Sequence, residues 1–225
     1  MDNSILYYNL SEGVEAFSTM RDAVLPYYVV TPHQVHGYKV AKIVDPATPR
    51  DELEGYDALI TNVVGCAIGV RSADCVPVLL YDPVKRAVAA IHSGWKGTVQ
   101  KISQKTIIQM MRDFGTKPED LLAVMGPGIS KPYFQVGNEV VQFFKESFFP
   151  LEDIWSFDGV SKEGSLEGGH HIDLVKANKW LLTEFGVPED HILCCGICSY
   201  SDSRFFSARR EGFECGRAIN SIKLI

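Results

Sequence analysis

Three features of the sequence predict an α+β fold. Short Val-, Ile- and Leu-rich runs outnumber helical patterns. They do not alternate with helices as a βαβ series would, and no linker is long enough to part the chain into separate cores. The expected architecture is a single domain over residues 1–225, with mixed β-sheet packed against helices. A chain of 225 residues can bury a full hydrophobic core without covalent staples.

The strand-like runs fall at residues 27–31, 39–44, 58–62, 66–70, 76–81, 88–92, 121–125 and 191–195, most of them bounded by Gly, Pro or Asp. Helical spacing is clearest at 98–114, where Val99, Ile102, Thr106 and Met110 share a stripe and Gly115 suits the C-terminal cap. A second helix is expected at 138–148, from Val140, Val141, Phe144 and Phe148. A third runs from an Asp173 N-cap to Phe185, ended by Gly186. Two segments echo each other: DFGTKPEDLLAVMGPGI from Asp113 and EFGVPEDHILCCGICSY from Glu184. Both read as helix end, Gly cap, Pro-Glu-Asp turn, buried strand and glycine. An old duplication or simply good turn chemistry accounts for them equally. The Gly-rich stretch at 156–171 reads as a long surface loop.

With 22 basic and 28 acidic residues the formal charge is −6. That balance argues against a nucleic-acid or anionic-membrane binder but leaves room for a local basic pocket. The first residues, MDNSILYYNLSEGVEAF, hold no basic n-region, and no run approaches the ~20 apolar residues of a membrane helix. The six cysteines fit a reducing compartment better than a disulfide scaffold. A cytoplasmic monomer or homodimer is the expectation.

Chemistry concentrates in three segments: TPHQVHG with His33 and His36, RSADCVPVLLYDP with Asp74 and Cys75, and AAIHSGWKGT with His92, Trp95, Lys96 and Thr98. Cys75 precedes one buried strand and His92 ends the next. If the two strands pair, both residues reach one edge of the sheet, where the loop carrying His36 can join them. Two imidazoles and a thiolate would make a three-ligand site with one position open, as catalytic zinc requires. Each residue also has a plain structural reading, because a Cys beside an apolar strand is usually a small core residue.

The segments resemble the laccase-domain family, also called multicopper polyphenol oxidases, among them zinc-dependent purine nucleoside phosphorylases. The resemblance runs from about Thr31 to the C-terminus through HQVHG, YDALIT, SADCVPVLL, HSGWKGT, GPGIS, YFQVG, HIDL, ICSYSDSRFFSARR and CGR. It places the zinc ligands on His36, Cys75 and His92. It implies phosphorolysis of purine nucleosides (adenosine, inosine, guanosine, methylthioadenosine), with adenosine deaminase activity beside it. Lys96, Ser93 and Gln135 stand where the family usually has Arg, Ala and Glu. The N-terminal segment is short, and only FSTMR, ending at Arg21, matches the family's opening.

Asp74 is the candidate proton shuttle for deamination, as in zinc nucleobase deaminases, with a turn-forming role as its alternative. Gly94, Gly97 and Lys96 at a helix entry suit phosphate, with Arg71, Arg209 and Arg210 as other cations. Gln34 and Trp95 complete the expected substrate surface, Trp95 as stacking platform or wall. The Cys195–Cys198 spacing fits a redox pair, half a zinc site or a buried strand end, of which the last reads best. His170 and His171 point opposite ways in extended chain and do not share a metal. Copper is the alternative metal, since His₂Cys also underlies blue-copper sites. A laccase needs a trinuclear cluster too, and the six histidines are too few and too scattered to build both. A hydrolase with Cys75 as nucleophile and His92 as base, a non-enzymatic binding protein and a peptidoglycan-precursor substrate are the remaining alternatives.

Overall fold

The computed structural model describes residues 4–158 and 169–225. In chain order the strands and helices are β1 (Ile5–Tyr8), β2 (Val14–Thr19), β3 (Val40–Lys42), β4 (Ala58–Thr61), β5 (Ala67–Ser72), β6 (Val76–Asp82), β7 (Ala87–Ser93), α1 (Trp95–Val99), α2 (Ile102–Phe114), β8 (Leu122–Met125), β9 (Gln135–Val136), α3 (Asn138–Glu146), α4 (Leu151–Ile154), β10 (Trp155–Phe157), β11 (His170–Ile172), α5 (Leu174–Glu184), β12 (Ile192–Cys194), α6 (Ala208–Glu211) and β13 (Ala218–Leu224).

Six strands form the central sheet in the order β12-β8-β6-β7-β4-β3. It is mixed: β12 pairs with β8 and β3 with β4 in parallel, and the other pairs are antiparallel. A second sheet, β1-β2-β13-β5, lies behind it, and a small one, β10-β11-β9, lies to the side. The central sheet is buried on both faces. Val76, Val78 and Leu80 of β6 and Ala87, Ala89 and Ile91 of β7 pack toward Ile102, Ile107 and Met110 of α2 and Leu181 of α5. Leu79, Tyr81, Val88 and Ala90 pack the other way, toward Ala16, Ile68 and Ile222 of the second sheet. Continuous apolar runs, rather than alternating ones, follow from this two-sided burial. The fold is α+β with mixed sheet, as expected.

Asp173 caps α5, accepting from the Lys176 backbone N–H at 2.8 Å. Gly115 and Gly186 take φ of +74° and +98° at the ends of the two echoed helices. The echo is structural: each helix leads through a Pro-Glu-Asp turn into a strand, and those strands, β8 and β12, lie side by side.

The expected helix at 98–114 is two helices. Lys101 adopts a left-handed conformation (φ 59°) between α1 and α2. A Cβ on Gly97 of α1 would meet the Gly37 carbonyl oxygen at 3.1 Å, while α2 sends its apolar stripe into the core. One straight helix cannot serve both packings. The expected strand at 27–31 reduces to a single bridge, Val30 to Ile68, between Pro26 and Pro32. The expected helix at 138–148 stops at Glu146, and Phe148 takes positive φ. Of the expected surface loop at 156–171, residues 159–168 lie outside the described residues.

The second sheet has no counterpart in the expected strand set except β5. Its strands carry buried Ser18, Ser221 and Asn220, which blur their apolar pattern. Hydrogen bonds across the strands offset the cost of burying them, Ser221 donating to the Ile68 carbonyl at 3.2 Å. Tyr8 Oη and Ser18 Oγ are 2.7 Å apart, Ser18 donates to Asn220 Oδ1 at 2.6 Å, and Asn220 donates to Ser72 Oγ at 2.9 Å.

Leu80 is fully buried on the helix-facing side of the central sheet. Leu80→Ala is expected to lower stability by about 2–5 kcal/mol in urea unfolding. A loss under about 1 kcal/mol would show that the helix layer is not packed as described.

Candidate metal centre

His92 is the penultimate residue of β7, and Cys75 immediately precedes β6. The pairing of β6 with β7 sets Pro77 opposite His92 and Val76 opposite Ser93. Cys75 and His92 therefore meet where the two strands end. His36 arrives from the loop before β3, in a left-handed conformation (φ 59°) that a non-glycine residue adopts only at a cost. One donor atom from each residue lies within 4.8 Å of the others. His92 is buried, Cys75 half-buried and His36 exposed, so the group opens to solvent on one side. The site lies at strand ends of the central sheet, at its rim rather than along an outer strand.

Asp57 organises this group. Its carboxylate is fully buried just before β4. Oδ1 lies 2.8 Å from His92 Nδ1 and accepts from the His36 N–H at 2.9 Å. Oδ2 accepts from the N–H groups of Gly37 at 2.7 Å and Val35 at 3.1 Å. The Asp57 carbonyl also accepts from the His92 N–H at 2.8 Å. One side chain thus holds the His36 loop, and its bond to Nδ1 leaves the Nε2 of His92 to face a ligand. Burial opposes ionisation of Asp57, but the His92 ring and the loop N–H groups outweigh it and hold its pKa below the usual range. Sequence reasoning did not single out Asp57. The signal was an acid placed directly before the fully buried run of β4.

Gly94 closes the floor. A Cβ there would lie 2.7 Å from Cys75 Sγ and 3.3 Å from His36 Cδ2. The glycine is required by space, since its backbone conformation is ordinary extended chain.

Burial penalises the Cys75 thiolate, but the charge of His92 and hydrogen bonds from both imidazoles overcome it and bring the pKa down to about 6. Burial likewise opposes the His92 charge, and the Cys75 thiolate with Asp57 raises it to about 9. The metal-free site is therefore a thiolate–imidazolium pair from about pH 6 to about pH 9. Below that window the thiol reprotonates; above it the ring loses its proton.

The other expected residues divide by position. Asp74 (φ 85°) accepts from Ser199 Oγ and from the Arg209 backbone N–H, both at 2.7 Å, tying two loops to the ligand loop. Arg209 also donates to the carbonyls of Tyr133 and Gln135. Gln34 exchanges two 2.8 Å hydrogen bonds with the Arg71 backbone. Trp95 is half-buried and packs on Phe143. Lys96 is exposed, and among the described residues its ammonium group meets only the Trp95 ring. Ser93 meets Asn178 Oδ1 at 2.7 Å and Thr98 Oγ1 at 3.0 Å. Arg21 pairs with Glu211 and donates to the Ser203 and Phe205 carbonyls. Arg210 donates to the carbonyls of Ser199, Tyr200 and Phe205.

The thiols of Cys195 and Cys198 go to different partners: Ile197 N–H for the first, Ser130 for the second. His170 takes the Trp155 indole N–H, while His171 pairs with Asp158. No second group of three metal-ligating side chains occurs among the described residues, which include every His and Cys of the chain.

The family model described as multi-copper polyphenol oxidoreductase laccase matches residues 14–225. The chain belongs to this laccase family. Within it, the chain is 41% identical over 207 residues to a purine nucleoside phosphorylase of Bacteroides thetaiotaomicron, covering 89% of this chain and 74% of that one. It is 39% identical over 201 residues to adenosine deaminase RL5 of an unknown prokaryotic organism, covering 86% and 74%. The crystal structure of Bacillus licheniformis hypothetical protein YfiH superposes with a TM-score of 0.82 at 25% identity, over 97% of this chain and 99% of that one. YlmD from Geobacillus stearothermophilus also superposes at 0.82, with 23% identity, over 95% and 92%. No helix among the described residues is long and apolar enough to cross a membrane.

Two measurements test the centre. Asp57→Asn is expected to weaken metal affinity about 10–100-fold in competition with a chromogenic chelator. Unchanged affinity would sink the orienting role of Asp57. In the metal-free protein, ultraviolet thiolate absorbance that vanishes in Cys75→Ser should titrate near pH 6. An ordinary midpoint near 9 would contradict the ion pair.

Proposed function

We propose that this chain is a zinc-dependent purine nucleoside phosphorylase that also deaminates adenosine. The observation that carries the reading is the three-donor group itself, with His92 oriented by Asp57 and, among the described residues, no fourth protein ligand beside it. One sulfur and two imidazole nitrogens suit zinc, and three protein ligands leave a position for substrate. Zinc bound there supplies Lewis-acid polarisation of a substrate heteroatom. Copper accepts the same donors, but a laccase needs a second, histidine-rich cluster, and the described residues hold no other such group. The names of the two curated relatives supply the substrate class.

Phosphorolysis replaces the ribose C1′–N9 bond by a C1′–O bond to phosphate. The purine leaves with the bonding electrons and takes a proton. In deamination, water displaces ammonia at C6. In this reading His36, Cys75 and His92 hold the metal, and Asp57 keeps the proton on His92 Nδ1. Trp95, beside Gly94, walls the purine side. Lys96, free of any carboxylate, can approach an anion. Asp74 anchors the loops of Ser199 and Arg209 through one hydrogen bond to each oxygen, and a second lone pair on each oxygen stays open for a proton. Gln34 acts through the loop it holds. The reading describes an enzyme of small molecules, with no nucleic acid or membrane partner.

A second reading has an observation of its own. Asp57, His92 and Cys75 line up as a Cys-His-Asp set, the arrangement of a cysteine hydrolase. His36 has no role in such a triad, so the metal reading accounts for more of the site.

Incubating zinc-loaded protein with adenosine, inosine and guanosine, with and without phosphate, tests the proposal. Free base is expected only with phosphate, with slower inosine formation from adenosine, and both should vanish in His36→Ala. Full turnover by His36→Ala after chelation would favour the cysteine hydrolase instead.

A further inference from the structure

Three arginines gather beside the metal-ligand loops with no acid among them. Arg71 lies in β5, four residues before Cys75, and its backbone is clamped by Gln34, two residues before His36. Arg50 opens the turn Arg50–Leu53 and donates to the carbonyl of Pro32, two residues before Gln34. Arg217 directly precedes β13, whose Ala218 and Ile219 lie opposite Ser72 and Arg71. Strand pairing sets Arg217 beside Arg71, and the bond to the Pro32 carbonyl brings Arg50 to the loop that Gln34 ties to Arg71. The electrostatics agree: burial first, then the charges of Arg50 and Arg217, make the Arg71 guanidinium harder to protonate than usual.

All three side chains are half-buried. Among the described residues none of them forms an ion pair, and the Arg71 guanidinium donates no hydrogen bond. The nearby acids are directed elsewhere, since Asp51 and Glu54 face His33. Arg217 is held by the neutral carbonyls of Phe213, Cys215 and Gly216. In a chain of net charge −6, three like charges brought together without a carboxylate repel one another until an anion joins them. Planar guanidinium groups match the paired oxygens of a phosphoryl group. Lys96 at the entry to α1 is a weaker candidate, because that helix has only five residues and Gly97 is packed against the Gly37 carbonyl.

We propose that Arg50, Arg71 and Arg217 form a phosphoryl-binding site beside the metal centre. Inorganic phosphate, the co-substrate of the phosphorylase reading on which this inference rests, and the 5′-phosphate of a nucleotide share the required chemistry.

Calorimetric titration of zinc-loaded protein with inorganic phosphate, AMP and adenosine tests the site. Arg71→Gln is the main variant, because its side chain gives up no hydrogen bond, and unchanged zinc content and melting temperature serve as its controls. Phosphate affinity is expected to fall about tenfold or more in Arg71→Gln, with partial recovery in Arg71→Lys. If free phosphate does not bind, AMP should bind tighter than adenosine, and that advantage should disappear in Arg71→Gln. Phosphate and AMP affinities that ignore Arg71→Gln, or wild-type protein that binds neither, overturn the site. Base release measured on the same samples separates the two claims. Phosphate bound through Arg71 without base release overturns the phosphorylase reading and leaves the site. Phosphorolysis whose KM for phosphate is unchanged in Arg71→Gln does the reverse.

Discussion

The Asp57 carboxylate is the interaction on which the rest of the site depends. It is fully buried, and a charge in that position is tolerated only when every lone pair is used. Here three backbone N–H groups and one imidazole use them. The same bonds fix the loop of His36, the tautomer of His92 and, through the Asp57 carbonyl, the end of β7. The left-handed backbone of His36 is sustained by this network, which offsets a local cost of order 1–3 kcal/mol. The geometry of the three donors, the loop position and the strand register are therefore one construction.

The central sheet gives that construction a rigid base. Because both of its faces are covered, the ends of β6 and β7 cannot shift without disturbing the helix layer and the second sheet together. Side chains at those ends inherit the rigidity of the core. The loops that complete the site are tied down by polar bonds instead: Gln34 to Arg71, Asp74 to Ser199 and Arg209, Arg21 to Glu211. The surface above the metal group is thus a set of loops cross-linked to one another and seated on a packed scaffold.

Most of the central sheet was legible because two-sided burial writes long Val, Ile and Leu runs, as at Val76–Asp82 and Ala87–Ser93. The second sheet was not, because Ser18, Ser221 and Asn220 bond across strands and no local pattern reports a partner some 200 residues away. The break at Lys101 escaped for a related reason. It answers the packing of Gly97 on the Gly37 carbonyl, a long-range demand invisible to helical spacing. In the site, His36, Cys75 and His92 were readable as residue types at the ends of strands. Asp57 was not, since an acid before a strand is ordinary until its burial is known. The arginine cluster was half visible: Arg71 stood out in the segment leading to Cys75, while Arg217 joins it through strand register and Arg50 through its bond to the Pro32 carbonyl.

Ser93 has a meaning beyond its own position. Among the described residues its hydroxyl is the sole donor to Asn178 Oδ1, where both residues are fully buried, while the Asn178 amide nitrogen serves Thr98 and Leu174. Ser93→Ala would leave that oxygen without a donor, whereas an apolar residue at 178 would still leave the serine its contact with Thr98. The two positions are coupled: the cost of removing the Ser93 hydroxyl depends on whether residue 178 carries an acceptor that needs it. The residue directly after His92 is thereby bound, in its freedom to vary, to a helix more than eighty residues further along the chain.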